Sequence, residues 1–161
     1  MQDRFRYDLG NCSIARSLEL LGEKWTFLIV REAWYGVGRF ADFERALGCT
    51  RNLLAERLRM LVDAGVLATE PYREPGARTR QRYVLTTKGR ELLPVLIALR
   101  EWGDRHLAGP EGPPVHLDHR DCGHRVTLAL RCAQGHTLDS TDDLVPAEGP
   151  GLRLASSTAR G

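Results

Sequence analysis

The segment that most constrains the fold runs from Thr50 to Leu67 and has the sequence TRNLLAERLRMLVDAGVL. Leu54, Leu58 and Leu61 recur at positions i, i+4 and i+7, which is the spacing of one buried side of an α-helix. Each residue turns the helix by about 100°, so most polar and basic residues point away from the leucines. Asn52, Glu56 and Arg59 lie near the opposite, solvent-facing side, Arg51 is in the first turn, and Arg57 lies on a flank. The sequence therefore predicts a short helix that leucines hold against a core while basic groups face solvent.

The residues on either side of this helix predict a small, mainly helical module. Before it, hydrophobic spacing predicts three helices, over residues 13–21, 23–34 and 39–47, separated by glycines. After it, residues 66–72 and 78–85 predict two strands, joined by a turn at residues 74–77. In the second strand Tyr83 and Leu85 face the core, whereas Arg80 and Arg82 face away. This order of helices followed by a basic hairpin is typical of a winged helix-turn-helix module.

Charge is distributed unevenly along the chain. Residues 1–38 carry five basic and five acidic side chains, residues 39–90 carry eleven and six, and residues 91–161 carry seven and ten. The basic middle segment contains both the leucine helix and the hairpin, and it indicates a surface for a polyanion. The alternative is a solvated charged face with no partner.

Double-stranded DNA is the polyanion that this module predicts. The second helix of a helix-turn-helix can enter a major groove, while the hairpin lies along the backbone or the minor groove. Arginine and asparagine bond to guanine and adenine edges, and glutamate accepts a hydrogen bond from cytosine. The candidate DNA contacts are Arg39, Thr50, Arg51, Asn52, Glu56, Arg57, Arg59, Arg78, Arg80 and Arg82.

A long helix from Thr87 to about Leu107 is predicted to follow the hairpin, with Pro94 either bending it or lying in a loosened start. Leu92, Leu96, Leu99 and Trp102 form one apolar stripe, and neighbouring residues widen it over more than half of the girth. A helix this apolar must bury a second side. In so small a chain the expected cover is a second copy, which would also suit a symmetric operator.

The C-terminal part predicts a linker at residues 108–114 and a small β extension beyond it. Val126, Leu128 and Leu130 alternate as in a strand between two Cys/His pairs. The pairs are His119 with Cys122 and Cys132 with His136, with His124 as a substitute for His119. Four such ligands suit tetrahedral zinc, so a structural zinc in a ribbon-like extension is the one cofactor that we consider. The alternatives are a metal-free hairpin and a cover over a small-molecule pocket.

Three domains are predicted: a DNA-binding and dimerisation domain over residues 1–108, the linker and Cys/His extension over 109–145, and a disordered tail over 146–161. The apolar runs are too short to span a bilayer, and the N-terminal residues lack a signal-peptide apolar region. We therefore expect a cytoplasmic protein with reduced cysteines and no membrane partner. No phosphate loop, nucleophile elbow or HExxH motif supports an enzyme. A metalloenzyme and a protein-interaction module remain the rival classes.

Several stretches resemble the HxlR family of bacterial winged-helix regulators, which is related to the MarR type. They are CSIARSLELLGEKWTFLIVRE, GRFADFERAL, LLAERLRMLVDAGVL, RYVLTTKGRELLPVL and LREWG, between Cys12 and about Gly103. The resemblance implies a dimeric transcription factor, often a repressor, whose dimer forms through the first and last helices. It also implies that Thr50 caps the reading helix and that Arg80 is the wing arginine. The family commonly has proline where Ser13 and Arg51 stand here.

Two cysteines precede helices and are candidate sensors. Cys12 comes just before the first helix, and Cys49 just before the reading helix. A helix N-terminus stabilises a thiolate. In some members of the family that the chain resembles, the cysteine equivalent to Cys12 is a thiol switch, so the effector is expected to be an oxidant, an electrophile or a small ligand. The alternative is that both cysteines are small packing residues.

Overall fold

The computed structural model describes residues 8–76 and 78–154, and their contacts divide the chain into two compact units. The larger unit is Glu23–Leu128, and the smaller unit comprises the described parts of Met1–Gly22 and Ala129–Gly161. This division differs from the predicted boundaries at residues 108 and 145. The physical reason lies in the smaller unit, where the Asp8 amide donates to the Arg153 carbonyl at 2.9 Å and the Asn11 side-chain amide donates to the Gly151 carbonyl at 2.6 Å.

These contacts also bear on the predicted tail. Residues 146–154 are described, and part of this stretch is hydrogen-bonded to the N-terminal segment, which differs from the disorder expected there. Residues 155–161 lie outside the described residues.

Six α-helices and four strands are formed by the described residues. The helices are α1 (Ser13–Leu21), α2 (Lys24–Trp34), α3 (Phe40–Leu47), α4 (Arg51–Asp63), α5 (Thr87–Arg90) and α6 (Leu93–His106). The strands are β1 (Leu67–Tyr72), β2 (Arg80–Leu85), β3 (Leu130–Arg131) and β4 (Thr137–Leu138). The mainly helical winged helix-turn-helix fold is confirmed. None of the described helices has the length and apolar character needed to cross a membrane.

The core of the larger unit lies where α2, α3 and α4 meet β1 and β2. Leu54, Leu58 and Leu61 of α4 are fully buried, as their spacing predicts. The other fully buried apolar side chains come from α2, α3 and the start of the hairpin: Ile29, Val30, Phe43, Val66 and Leu67. Gly48 ends α3 in the left-handed region at φ 64°, which lets the chain turn directly into α4.

The hairpin pairs from Leu67 opposite Leu85 to Tyr72 opposite Arg80. It is fixed to the start of α3, because the Tyr83 amide donates to the Gly38 carbonyl at 2.8 Å. The Tyr83 ring also meets Phe43 edge-on at 6.2 Å between centroids. A side chain at position 38 would press on the Tyr83 carbonyl, at 3.2 Å from a Cβ. Glycine there permits the close approach that holds the wing.

The prediction of one continuous helix from Thr87 to Leu107 is wrong. Residues 91–92 form a turn between α5 and α6, and Pro94 lies in the first turn of α6. Proline has no amide hydrogen and its ring disfavours a preceding helical turn, so it suits a helix start better than a helix interior. Thr86 caps α5, since its hydroxyl accepts from the Gly89 amide at 3.1 Å.

The predicted strand over residues 126–130 is also wrong, because two short hairpins take its place. In the larger unit, the amide of Val126 donates to the Leu117 carbonyl at 2.8 Å, and Asp118 pairs with Arg125. In the smaller unit, β3 pairs with β4. Gly123 and Gly135 adopt positive φ angles of 68° and 86° in the two turns. Val126 thus belongs to the return of the first hairpin and Leu130 to the first strand of the second, so the alternating run is shared between two hairpins.

Candidate nucleic-acid interface

The outer side of α4 has the polar surface that the sequence predicts. Arg51, Asn52, Glu56 and Arg59 are exposed, opposite the buried leucines. Thr50 stands at the N-cap position with an extended backbone, but its side chain makes no capping hydrogen bond. The backbone amides in the first turn of α4 therefore have no hydrogen-bond acceptor from a capping side chain.

Arg57 is placed differently from the other α4 candidates. Only 18% of its side chain is exposed, and its Nε atom is buried without a hydrogen-bond partner. One terminal nitrogen lies 3.8 Å from the Met60 sulfur, and the other lies 3.9 Å from carboxylates of Glu23 and Glu56. The side chain is thus folded along the helix, and a DNA contact would require it to extend.

The hairpin presents three of the predicted arginines. Arg78, Arg80 and Arg82 are all exposed. Glu70 binds Arg82 through both Nε, at 3.1 Å, and Nη2, at 2.7 Å. Within the described parts of the chain, Arg78 and Arg80 have neither an ion pair nor a side-chain hydrogen bond, and the same holds for Arg59 of α4. Three guanidinium groups on two neighbouring elements are therefore open to an anion.

The start of α3 connects these two elements. Arg39 binds Glu74 at the hairpin turn, with 2.6 Å between Nη2 and the carboxylate, and lies 4.9 Å over the Tyr72 ring. Arg51 at the start of α4 lies 5.0 Å over the Phe40 ring and 3.5 Å from a carboxylate oxygen of Glu44. The arginines at the first turns of α3 and α4 are thus held by the protein itself.

Sequence reasoning missed these carboxylates. Three carboxylates pair with candidate arginines: Glu44 with Arg51, Glu70 with Arg82 and Glu74 with Arg39. Apart from Arg57, the sequence offers six candidate arginines, so half of these are already paired within the protein. One pair had a signal in the sequence, because a hairpin centred on residues 74–77 places Glu70 opposite Arg82. The other two depend on how side chains turn in three dimensions. An approaching phosphate would have to compete with the three carboxylates.

Cys12 and Cys49 both stand where the sequence predicts, each partly buried. Cys12 occupies the N-cap position of α1, and Cys49 lies one residue before the N-cap of α4. Neither forms a disulfide. Their proposed sensing role stays a prediction.

The Cys/His pairs are found in the turns of the two C-terminal hairpins. His119 Nδ1 lies 3.2 Å from the Cys122 sulfur, and the Cys132 amide donates to the His136 carbonyl at 3.0 Å. Nowhere in residues 8–76 and 78–154 do three or more His, Cys, Asp or Glu side chains form a group that could hold a metal ion. The first pair belongs to the larger unit and the second to the smaller unit, and the zinc ribbon stays a prediction.

Comparisons with known proteins agree with this geometry. The family model described as HxlR-like helix-turn-helix matches residues 20–110. An uncharacterized HTH-type transcriptional regulator of Mycobacterium tuberculosis is 43% identical over 147 residues, which cover 90% of this chain and 92% of that protein.

Two solved structures are also similar. PA1607, described as a candidate transcription factor, is 38% identical with a TM-score of 0.77, over 87% of this chain and 96% of its own. The redox regulator HypR in its reduced form is 29% identical with a TM-score of 0.52, over 57% of this chain and 90% of its own.

The Glu70–Arg82 pair generates a prediction for DNA affinity. Replacing Glu70 with Gln removes the carboxylate that occupies Arg82, so we expect two- to fivefold tighter binding of non-specific duplex DNA at moderate salt, on the order of 1 kcal/mol or less for an exposed pair. The measurement is a fluorescence-anisotropy titration with a labelled random duplex.

The matched control is Asp118→Asn, which removes the same charge from an exposed pair with Arg125 outside α4 and the wing. An equal gain in both variants would mean that net charge alone matters, and the local competition would then be rejected.

Proposed function

The chain belongs to the HxlR-like helix-turn-helix family of transcription regulators, and from this premise we propose that it binds an operator as a homodimer. In this proposal the outer side of α4 contacts base edges in the major groove, and the hairpin arginines contact the backbone or the minor groove. The resemblance to the family further favours repression as the outcome. An enzymatic function is excluded, because the family and the fold are those of DNA-binding regulators.

One observation carries the proposal for the interface. Arg59 on α4 and Arg80 on β2 are exposed and without partners in the described residues. The start of α3 connects their two elements, because Arg39 pairs with Glu74 of the hairpin and the Phe40 ring contacts Arg51 of α4. Free guanidinium groups at an exposed tip have no packing role, and duplex DNA carries a negative charge about every 1.7 Å along its axis. A surface of this kind is suited to phosphates.

The test begins with selecting bound sequences from a random DNA pool and measuring affinity for the selected operator at several salt concentrations. We expect a steep loss of affinity between about 50 and 200 mM salt. Replacing Arg80 with Gln should weaken all sequences nearly equally and lower the salt slope by about one. The Asn52→Ala variant should instead cost about 1–3 kcal/mol on the selected operator and relax its sequence preference.

Arg131→Gln is the matched control, because Arg131 is exposed and lies outside the wing and α4. A double Arg59→Gln, Arg80→Gln variant that still bound the operator as the unaltered chain does would contradict the proposed interface. Salt-insensitive binding to a protein would instead support the interaction-module alternative.

The dimer proposal is supported by apolar side chains that water would otherwise cover. Val95, Leu99 and Trp102 of α6 are each about half exposed and lie along one side of that helix, and Ile14 and Leu18 of α1 are 72% and 55% exposed. Burying an exposed aliphatic side chain completely contributes about 1.5–3 kcal/mol, and covering the exposed part of a half-buried one contributes a corresponding share of that. A second copy that covers both helices would supply this burial and would pair two reading helices for a symmetric operator.

The dimer proposal predicts that Leu99→Glu is monomeric. A carboxylate in a buried apolar interface loses hydration without a partner, so dissociation should occur at micromolar chain concentrations, where the unaltered protein stays dimeric. Analytical ultracentrifugation measures the mass. Leu144→Glu is the control, because Leu144 is similarly exposed but lies outside α1 and α6. A Leu99→Glu protein that remained dimeric would rule out α6 as the interface.

Thiol control through Cys12 is a second proposal, favoured by the similarity to the redox regulator HypR. Cys12 stands at the N-cap of α1, the helix that the dimer proposal places in the interface, so a modified thiol would change the spacing of the two reading helices. We expect diamide or a quinone to abolish operator binding by the unaltered protein but not by Cys12→Ser. Equal sensitivity of the two proteins would reject the proposal, and Cys49→Ser tests the second cysteine in the same assay.

A further inference from the structure

A cavity of about 250 Å³ lies within the larger unit, between α2, α6 and the segment that follows α6. Its walls are mainly apolar and aromatic. The principal lining residues are Phe27, Leu28, Trp34, Leu96, Ile97 and Val115. Drug-sized ligands occupy pockets of about 300–1,000 Å³. A cavity slightly below that range suits a ligand of one or two rings.

Both arginines at this cavity have a carboxylate nearby, and the two pairs differ in their geometry. Arg31, Arg100 and Asp104 are its charged lining residues. Arg31 is already occupied, since its Nε donates to the buried carboxylate of Glu32 at 2.8 Å. Arg100 has Asp104 nearby, but the closest approach is 3.6 Å from Nε, too long for a good hydrogen bond.

Arg100 is the group that points to a ligand. Its Nε and Nη1 atoms are buried, and neither has a hydrogen-bond partner among the described residues. A buried donor left without a partner costs about 1–3 kcal/mol, and more when it is charged. A carboxylate can accept two parallel hydrogen bonds from one guanidinium. An anionic acceptor at the end of an apolar ligand would therefore stabilise this site.

We propose that the cavity binds a small aromatic carboxylate, with its ring among the apolar residues of α2 and α6 and its carboxylate at Arg100. A second copy of the chain is a poorer occupant, because Arg100 and the exposed residues Val95 and Trp102 lie on different sides of α6. Leu99 alone belongs to both surfaces.

Ligand binding at this place also suggests regulation, and this part rests on the proposed function. The helix α2 lines the cavity with one side and packs against α3, α4 and β2 with the other. A ligand that shifts α2 would shift the support of the reading helix. Occupancy should therefore change operator affinity.

The experiment uses the full chain with cinnamate and its neutral isostere cinnamamide as probes, followed by isothermal titration calorimetry. We expect one cinnamate per chain and at least about tenfold weaker binding of cinnamamide, because the charge-assisted bond is lost. Arg100→Gln should remove the preference for cinnamate. Arg105→Gln, which loses the same charge from an exposed position on α6 outside the cavity, should leave both affinities within about twofold.

A cavity-filling variant covers the case in which Arg100→Gln fails to fold. Leu96→Trp keeps every charge but occupies the space, so it should lose both probes while circular dichroism shows unchanged helix content. Equal binding of the two probes, or cinnamate binding that survives Leu96→Trp, would overturn the proposal.

The regulatory part is measured on the selected operator with and without cinnamate. If cinnamate fills the cavity but leaves the affinity for the operator unchanged, the regulatory proposal is overturned and the cavity proposal stands. A chain that selects no DNA sequence but still binds cinnamate through Arg100 would overturn the proposed function and leave the cavity proposal standing.

Discussion

The burial of one side of α4 is the constraint on which the rest of the structure depends. Leu54, Leu58 and Leu61 are completely shielded from solvent, and replacing any one of them with alanine would cost about 2–5 kcal/mol of folding free energy. Because a helix is rigid, fixing three positions fixes the direction of every other side chain on it. The outward placement of Asn52, Glu56 and Arg59 is therefore a consequence of leucine packing. The polar surface that we propose to contact DNA is thus set by the apolar surface opposite it.

The electrostatics of the interface follow from a different principle, because the basic side chains are not all equally available. Arg39 and Arg82 are bound to carboxylates of the same unit, and Arg59 and Arg80 are not. An internal pair orients the guanidinium and lowers its net attraction for phosphate, while an unpaired guanidinium contributes its full charge. The carboxylates thus restrain non-specific attraction, which is the sequence-independent part of DNA affinity. In the proposed complex, base contacts from α4 would then account for a larger share of the binding free energy on the correct operator.

The local sequence predicted the helices and strands whose buried residues recur with a regular period. It did not predict the places where a tight turn or pairing with a distant segment determines the backbone conformation. The helices α1 to α4 and the hairpin follow from apolar spacing and glycine breaks, and the structure has them within a few residues of the predicted bounds. The helix after the hairpin was expected to be continuous, because apolar periodicity persists through the turn that precedes Pro94. The C-terminal strand was predicted over too many residues for a different reason. Alternation along one segment does not show where the chain turns back to form the paired strand. The burial of the Arg57 side chain and of the Arg100 nitrogens depends on neighbours that are distant in sequence. For Arg57, one such neighbour is Glu23.

The helix α2 lies between the proposed ligand cavity and the helix α4 of the proposed DNA surface, and this arrangement has a mechanical consequence. On α2, Phe27, Leu28 and Trp34 line the cavity, while Ile29 and Val30 are buried in the core that also holds α4. Close-packed interiors transmit small displacements because they contain few voids that could absorb them. The cavity therefore lies one helix away from α4, because α2 lines the cavity and contacts α4 directly. A ligand can change DNA affinity only to the extent that its own affinity differs between the two positions of α2, and the unsatisfied nitrogens of Arg100 are the groups whose hydrogen bonding would supply that difference.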